Sequence, residues 1–203
     1  MTKPVIVAIC GKSASGKDTL AKAFQKGGYG FTNIVSDTTR PPRQGEVDGI
    51  NYNFIPPREF TERMRQEKYL EFSEFRGWYY GTNKQSVSGG VNIGVFNMDG
   101  IVSLLQFSRK DEYTIIPVYL KVNVFTRLYR SIKRERKISL EMIRRVFADW
   151  FDFIDADLWL KRFPQYMVVK NLKTMQDYDN LTQHIVDTYL SDYYQQGQNH
   201  KKT

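Results

Sequence analysis

Residues 4–19, PVIVAICGKSASGKDT, set a short apolar run directly against a glycine-rich stretch, and that junction limits the folds open to the chain. PVIVAIC (4–10) is short and β-branched, as expected of a strand buried on both faces of a parallel sheet. The residues after it fit the spacing G-x-x-x-x-G-K, with Gly11, Gly16 and Lys17 in the fixed positions. In the helix that follows, Leu20, Ala23 and Phe24 fall on one face, and Gly27-Gly28 mark its end. A chance glycine turn would satisfy the spacing alone. Its place between a buried strand and an amphipathic helix favours a phosphate loop. There the N–H groups of Gly11, Ser13, Ala14, Ser15, Gly16 and Lys17 turn toward phosphate oxygens at the positive end of a helix, and the Lys17 side chain reaches the terminal phosphates. The residue after the lysine, commonly a hydroxyl that binds Mg²⁺, is Asp18, followed by Thr19. A carboxylate is a competent hard ligand for Mg²⁺, directly or through water. The expected ligand is a nucleotide triphosphate with Mg²⁺, and Asp18 is the candidate metal residue.

Along the chain, VNIGVFNM (91–98), TIIPVYLKV (114–122) and YMVVKN (166–171) repeat the pattern of buried strands. NVFTRLYRSIKRERKISLEMIRRVFADWFDFI (123–154) predicts a long basic helix with a break near Ile138-Ser139, and residues 178–194 a closing helix. Strands separated by helical stretches predict an α/β domain with a parallel sheet. Residues 33–83 differ: they are turn-rich, charged and aromatic, with strand-like pieces such as YNFI and YLEFSEF, and predict an inserted lobe. The tail QQGQNHKKT is polar.

A formal charge of +8 from 30 basic and 22 acidic residues implies an anionic partner without choosing among nucleic acid, membrane surface and a phosphorylated small molecule. The longest apolar runs fall well short of the roughly 18–20 residues a membrane span requires, and the start does not have the layout of a leader peptide. The single cysteine, Cys10, suits a reducing cytoplasm, and Asn180-Leu181-Thr182 is then an incidental sequon. His184 and His200 carry no evident role.

The stretch SDTTRPPRQGEVDGINYNF (36–54), with YLEFSEFRGWYYGT (69–82), resembles the nucleotide-monophosphate-binding lobe of guanylate kinases. With the phosphate loop it makes two motif blocks in the family's order. The resemblance implies a P-loop NTPase three-layer core (1–32, 84–125 and 143–195), the inserted lobe at 33–83, a helical lid at 126–142 and a tail at 196–203. It implies that Arg40, Arg43, Tyr52 and Tyr80 clamp the acceptor's phosphate, which suits planar guanidinium forks and phenolic donors. It places Glu71 on the guanine N1–H and amine, with Ser36 and Thr82 on the guanine edge. A carboxylate accepting both donors would reject adenine by roughly 10⁴-fold. Taken singly, the arginines read as exposed loop residues, Tyr80 as a half-buried strand tyrosine and Glu71 as a solvent-facing one; their joint order favours the pocket.

The lid in this resemblance carries Arg134, Arg136 and Arg145, which would neutralise the phosphoryl group in flight, and Asn171 lies where the family contacts adenine. Arg127, Arg130, Arg134 and Lys137 share one helical face, which also reads as a solvated basic face or a nucleic-acid stripe. One block departs from the family. Guanylate kinases typically carry two aspartates spaced i, i+2 where this chain has Val95 and Asn97. Asn97 retains an acceptor oxygen. Asp99, one residue off register, would face away on a strand. The acidic contribution near Mg²⁺ is then expected from Asp18. Bacteriophage-type deoxynucleoside monophosphate kinases carry a similar loop, so three readings stand. They are ATP-dependent conversion of GMP and dGMP to diphosphates, a broader deoxynucleoside monophosphate kinase, and a non-catalytic guanylate-kinase-like binding module. The expected protein is cytoplasmic, monomeric or dimeric, with no membrane and no specific nucleic-acid partner.

Overall fold

The structure is a computed structural model that describes residues 3–43, 45–135, 149, 153–170, 172–191 and 193–194. Five parallel strands form the central sheet: β1 (Val5–Gly11), β2 (Thr32–Asn33), β7 (Val91–Val95), β8 (Thr114–Lys121) and β9 (Met167–Lys170), in the order β2-β7-β1-β8-β9. β1 sits at the centre and is buried along its whole length, which explains its unbroken apolar run.

Alternation along β1 builds two cores. Val5, Val7 and Ile9 pack with Leu20 and Phe24 of α1 (Lys17–Lys26) and with Leu181 and Ile185 of the last α-helix (Met175–Ile185). Ile6, Ala8 and Cys10 face the other way, toward Ile101 and Leu104 of α3 (Met98–Arg109) and Leu160 of α5 (Ala156–Leu160). The result is the expected three-layer α/β arrangement. Each fully buried Leu, Ile or Phe among these contributes about 1.5–3 kcal/mol.

A second, four-stranded sheet lies within residues 37–83. Its strands are β3 (Asp37–Thr38), β4 (Asn53–Phe54), β5 (Tyr69–Phe75) and β6 (Trp78–Asn83), in the order β4-β3-β6-β5. β5 and β6 are an antiparallel hairpin, and β3 joins β6 antiparallel and β4 parallel. The segment also holds a helix that apolar patterning does not reveal, α2 (Pro57–Arg65). Its only buried residue is Phe60, which stacks between Tyr69 and Tyr79 with centroids 4.6 and 5.4 Å away. Fully buried Asp37 ties helix to sheet: it accepts from Arg63 (2.6 Å), Asn53 (2.8 Å) and the Tyr69 hydroxyl (2.8 Å).

Two expectations change, and a third falls partly outside the described residues. The strand expected over 91–98 stops at Val95, and α3 begins at Met98. Asp99 therefore lies in a helix's first turn and not on the far face of a strand. The closing helix begins at Met175, three residues earlier than expected, because Thr174 and Asp177 form a reciprocal capping box. The basic helix is α4 (Val124–Glu135); its expected break at Ile138-Ser139 lies outside the described residues.

Candidate active site

The phosphate loop runs from the C-terminal end of β1 into α1. Gly16 has φ +100°, and a Cβ there would lie 2.1 Å from the Tyr178 hydroxyl. Glycine is thus required by backbone conformation and by packing at once. At Gly11 a Cβ would meet the Leu120 carbonyl at 2.9 Å, which holds the loop's entry flush against β8. The Lys17 ammonium turns back over the loop and donates to the carbonyls of Gly11 (2.8 Å) and Lys12 (3.2 Å). Burial lowers its pKa, and the charges of Asp18 and Asp149 work against that shift.

The outer side of the loop is braced by residues that the sequence did not single out for this role. Asp149, 2% exposed, accepts from the Ser13 N–H (2.9 Å) and hydroxyl (3.1 Å). It also accepts from Arg127 (2.6 Å), which donates to the Ser13 carbonyl as well (3.3 Å). Arg130 donates to the carbonyls of Ser15 and Leu172. Arg127 and Arg130 are therefore not part of a solvated basic stripe. Arg127 is buried, and both are turned onto the loop. A helical face of cations is ambiguous until the neighbouring carbonyls are known.

Across the cleft, Arg40 is buried and spreads its guanidinium over the rings of Tyr52 and Phe54, 5.5 and 5.6 Å from their centroids. Its fork engages both carboxylate oxygens of Glu46 (2.9 and 3.0 Å) and the Pro41 carbonyl. Burial opposes the Glu46 charge, but the Arg40 fork and the Arg43 N–H (2.7 Å) more than offset it and hold the carboxyl below its ordinary range. Tyr52 and Tyr80 meet edge to face at 5.9 Å, and Tyr80 is electrostatically coupled to Arg40. Arg40, Tyr52 and Tyr80 thus converge. Arg43, whose side chain is exposed, joins the group through its N–H and through its charge, which acts on Glu46. Glu46, three residues beyond Arg43, is a partner of Arg40 that the sequence reading missed; a carboxylate within reach of two arginines was the available signal.

A third cluster, on β5 and β6, is buried. The Thr82 hydroxyl donates to Glu71 (2.7 Å) and lies 3.4 Å from the Ser36 hydroxyl. All three side chains are under 10% exposed. Burial pushes the Glu71 carboxyl up to about 7 against the pull of its Thr82 hydrogen bonds. Asn97 caps α3 by accepting the Gly100 N–H (2.7 Å) and is hydrogen-bonded to Ser73 on β5. Gly100 borders this cluster: a Cβ there would stand 3.2 Å from both Asn97 Oδ1 and Glu71 Oε2. Asn97 therefore borders the Glu71 pocket. Val95 instead packs toward the core on the α1 side.

Asp18 is exposed in the first turn of α1, and its charge acts on both Lys17 and Tyr52, so it stands between the two halves of the cleft. Thr19 follows it in the same turn. Arg134 lies near the end of α4, whereas Arg136, Arg145 and Asn171 lie outside the described residues.

A lysine-bearing phosphate loop facing a sheet that combines an arginine–tyrosine cluster with a buried carboxylate is the arrangement of a P-loop nucleoside monophosphate kinase. A family model described as guanylate kinase matches residues 1–151. The chain belongs to the guanylate kinase family. A guanylate kinase from Rickettsia felis is 42% identical over 189 residues, covering 84% of this chain and 96% of that one. One from Clostridium perfringens is 46% identical over 83 residues, a stretch that spans only 38% of that relative's length. In fold, the chain is similar to the crystal structure of guanylate kinase from Anaplasma phagocytophilum, with a TM-score of 0.64 and 18% identity over 92% of this chain and 86% of that one.

Proposed function

We propose that this protein transfers the terminal phosphoryl group of ATP to GMP and dGMP, giving ADP and the guanosine diphosphates. The observation that carries this reading is the buried Glu71, Ser36 and Thr82 group, opposite the Lys17 loop and beside the Arg40, Tyr52 and Tyr80 cluster. Ionised Glu71 accepts from guanine N1–H and the exocyclic amine, while Ser36, Thr82 and Asn97 meet the rest of the edge. Arg40, Arg43, Tyr52 and Tyr80 hold the acceptor phosphate. No general base is needed, because the acceptor is already an anion. Catalysis consists of alignment and of charge neutralisation by Lys17, by Arg134 and Arg136 of a lid at 126–142, and by Arg145 just beyond it. Asn171 would lie near the adenine. Residues 33–83 form the acceptor lobe beside the remaining core, and the protein works in the cytoplasm as a monomer or dimer. Among the described residues, no helix is long and apolar enough to cross a membrane.

Among the described residues no cluster of three His, Cys, Asp or Glu side chains stands ready for a metal. A Mg²⁺ ion held by one carboxylate and by phosphate oxygens needs no such cluster. The exposed Asp18 beside Lys17 fits that donor set, with Thr19 next to it. Bound there with ATP, the ion would supply Lewis-acid neutralisation of phosphate charge. Asp18→Ser is expected to raise the Mg²⁺ concentration for half-maximal activity by about tenfold or more. An unchanged Mg²⁺ titration would remove Asp18 from that role.

A second reading, a broader deoxynucleoside monophosphate kinase, is favoured by one observation. At the bordering position stands a neutral Asn97, already engaged by Gly100 and Ser73. The deciding assay is ADP release from ATP and Mg²⁺ with GMP, dGMP, AMP, CMP, dCMP, UMP and dTMP. Turnover confined to GMP and dGMP is expected. Turnover across several deoxynucleotides would establish the broader reading, and none with folded protein would point to a binding module.

A further inference from the structure

The two strands that line the acceptor pocket, β5 with Glu71 and β6 with Tyr80 and Thr82, are joined by a two-residue turn, Arg76-Gly77. Both residues have positive φ, 55° and 78°, the twist-matched geometry of a tight hairpin. The Arg76 guanidinium leaves this tip and donates to Asp149 at 3.0 Å. The same carboxylate holds the Ser13 N–H and hydroxyl in the phosphate loop, and Arg127 at the start of the basic helix. One buried carboxylate thus joins the acceptor hairpin to the donor loop.

We infer that the Arg76–Asp149 ion pair couples the two substrate sites, so that ATP in the loop tightens acceptor binding and the acceptor tightens ATP binding; Arg76 is a positioning residue. The inference rests on the proposed nucleotide sites. An ion pair that forms when the hairpin lies on the core favours the arrangement in which both phosphates face each other. Each ligand that selects that arrangement then raises affinity for the other by the same factor. Asp149 accepts from the Ser13 N–H and hydroxyl and from Arg127 as well as from Arg76. Removing Arg76 therefore leaves the carboxylate paired with Arg127 and Ser13, and the loop braced. Removing Asp149 would strand buried Arg127, so Arg76 is the residue to change.

The test is calorimetric titration of GMP with and without a saturating non-hydrolysable ATP analogue. The wild type is expected to bind GMP about fivefold more tightly with the analogue. In Arg76→Gln this factor is expected to fall to within about twofold of one, with affinity for GMP alone nearly unchanged and only a modest loss of thermal stability, since Asp149 keeps its pairing with Arg127 and Ser13. Arg76→Lys keeps a cation opposite Asp149 and is expected to retain at least half of the factor. An undiminished factor in Arg76→Gln, or equal loss in both variants, would overturn the coupling role. Failure of the wild type to bind GMP at all would instead overturn the reading of the acceptor site.

Discussion

Lys17→Met is expected to lower kcat by about a thousandfold while the protein stays folded. The ammonium is held between two loop carbonyls in a half-buried position where burial lowers its pKa. Such a cation is poorly solvated and lies at the loop's mouth, so it exchanges those carbonyls for phosphate oxygens with little reorganisation. Its value is greatest when negative charge builds on the transferring group, so the loss falls on kcat more than on ATP affinity. Methionine preserves the stem and the packing. Lys17→Arg is expected to recover little, because a planar fork cannot occupy the place of a compact ammonium. Stopped-flow single-turnover rates with a circular dichroism control would check this; a loss confined to KM for ATP would assign Lys17 to binding alone.

Glu71→Gln is expected to reduce kcat/KM for GMP by about a hundredfold or more. The amide offers one acceptor where guanine presents two donors, and its own NH₂ is then set against a donor in a buried pocket. The wild type should also bind guanosine more tightly as pH rises through about 7, the range set by burial of Glu71. The sign follows from the charged form being the one that accepts both donors. Guanosine is chosen because it has no phosphate to titrate. In Glu71→Gln the slope should vanish. The same raised pKa has a cost in the empty protein: its contribution to stability is full below the unfolded value near 4.3 and is lost as pH rises through about 7. A flat guanosine profile in the wild type would show that the carboxylate does not meet the base.

Local signals carried much of this. A β-branched run, two spaced glycines and a lysine are all within a few residues of one another, so β1, the loop and α1 were legible. The pocket residues Ser36, Glu71 and Thr82 were legible only through resemblance, since nothing in their own spacing says that two strands and a loop will meet. α2 was hidden because it buries one residue, Phe60, and so has no apolar stripe; the Pro56-Pro57 start was its one sign. The strand expected to reach Met98 was misjudged because Phe96 and Met98 prolong the apolar run, while Asn97 acts as a helix cap for Gly100. Asp149 was invisible for a different reason. Its partners Ser13, Arg76 and Arg127 lie far apart in the chain, and no periodicity relates them.

The position of β1 at the middle of the sheet also has a consequence for how the chain acquires its shape. Val5 aligns with Val91 on one side and with Thr114 on the other. During synthesis β1 therefore has both neighbours only once residues near Leu120 have emerged. The sheet of residues 37–83, all of whose strands are made before β7, can assemble meanwhile. Pairing with distant strands is slow, and an uncharged β-branched segment exposed for that interval is prone to self-association. The segment that anchors the finished core is thus an adhesive one in the nascent chain, and the time taken to reach β8 sets how long it must be kept apart from other copies.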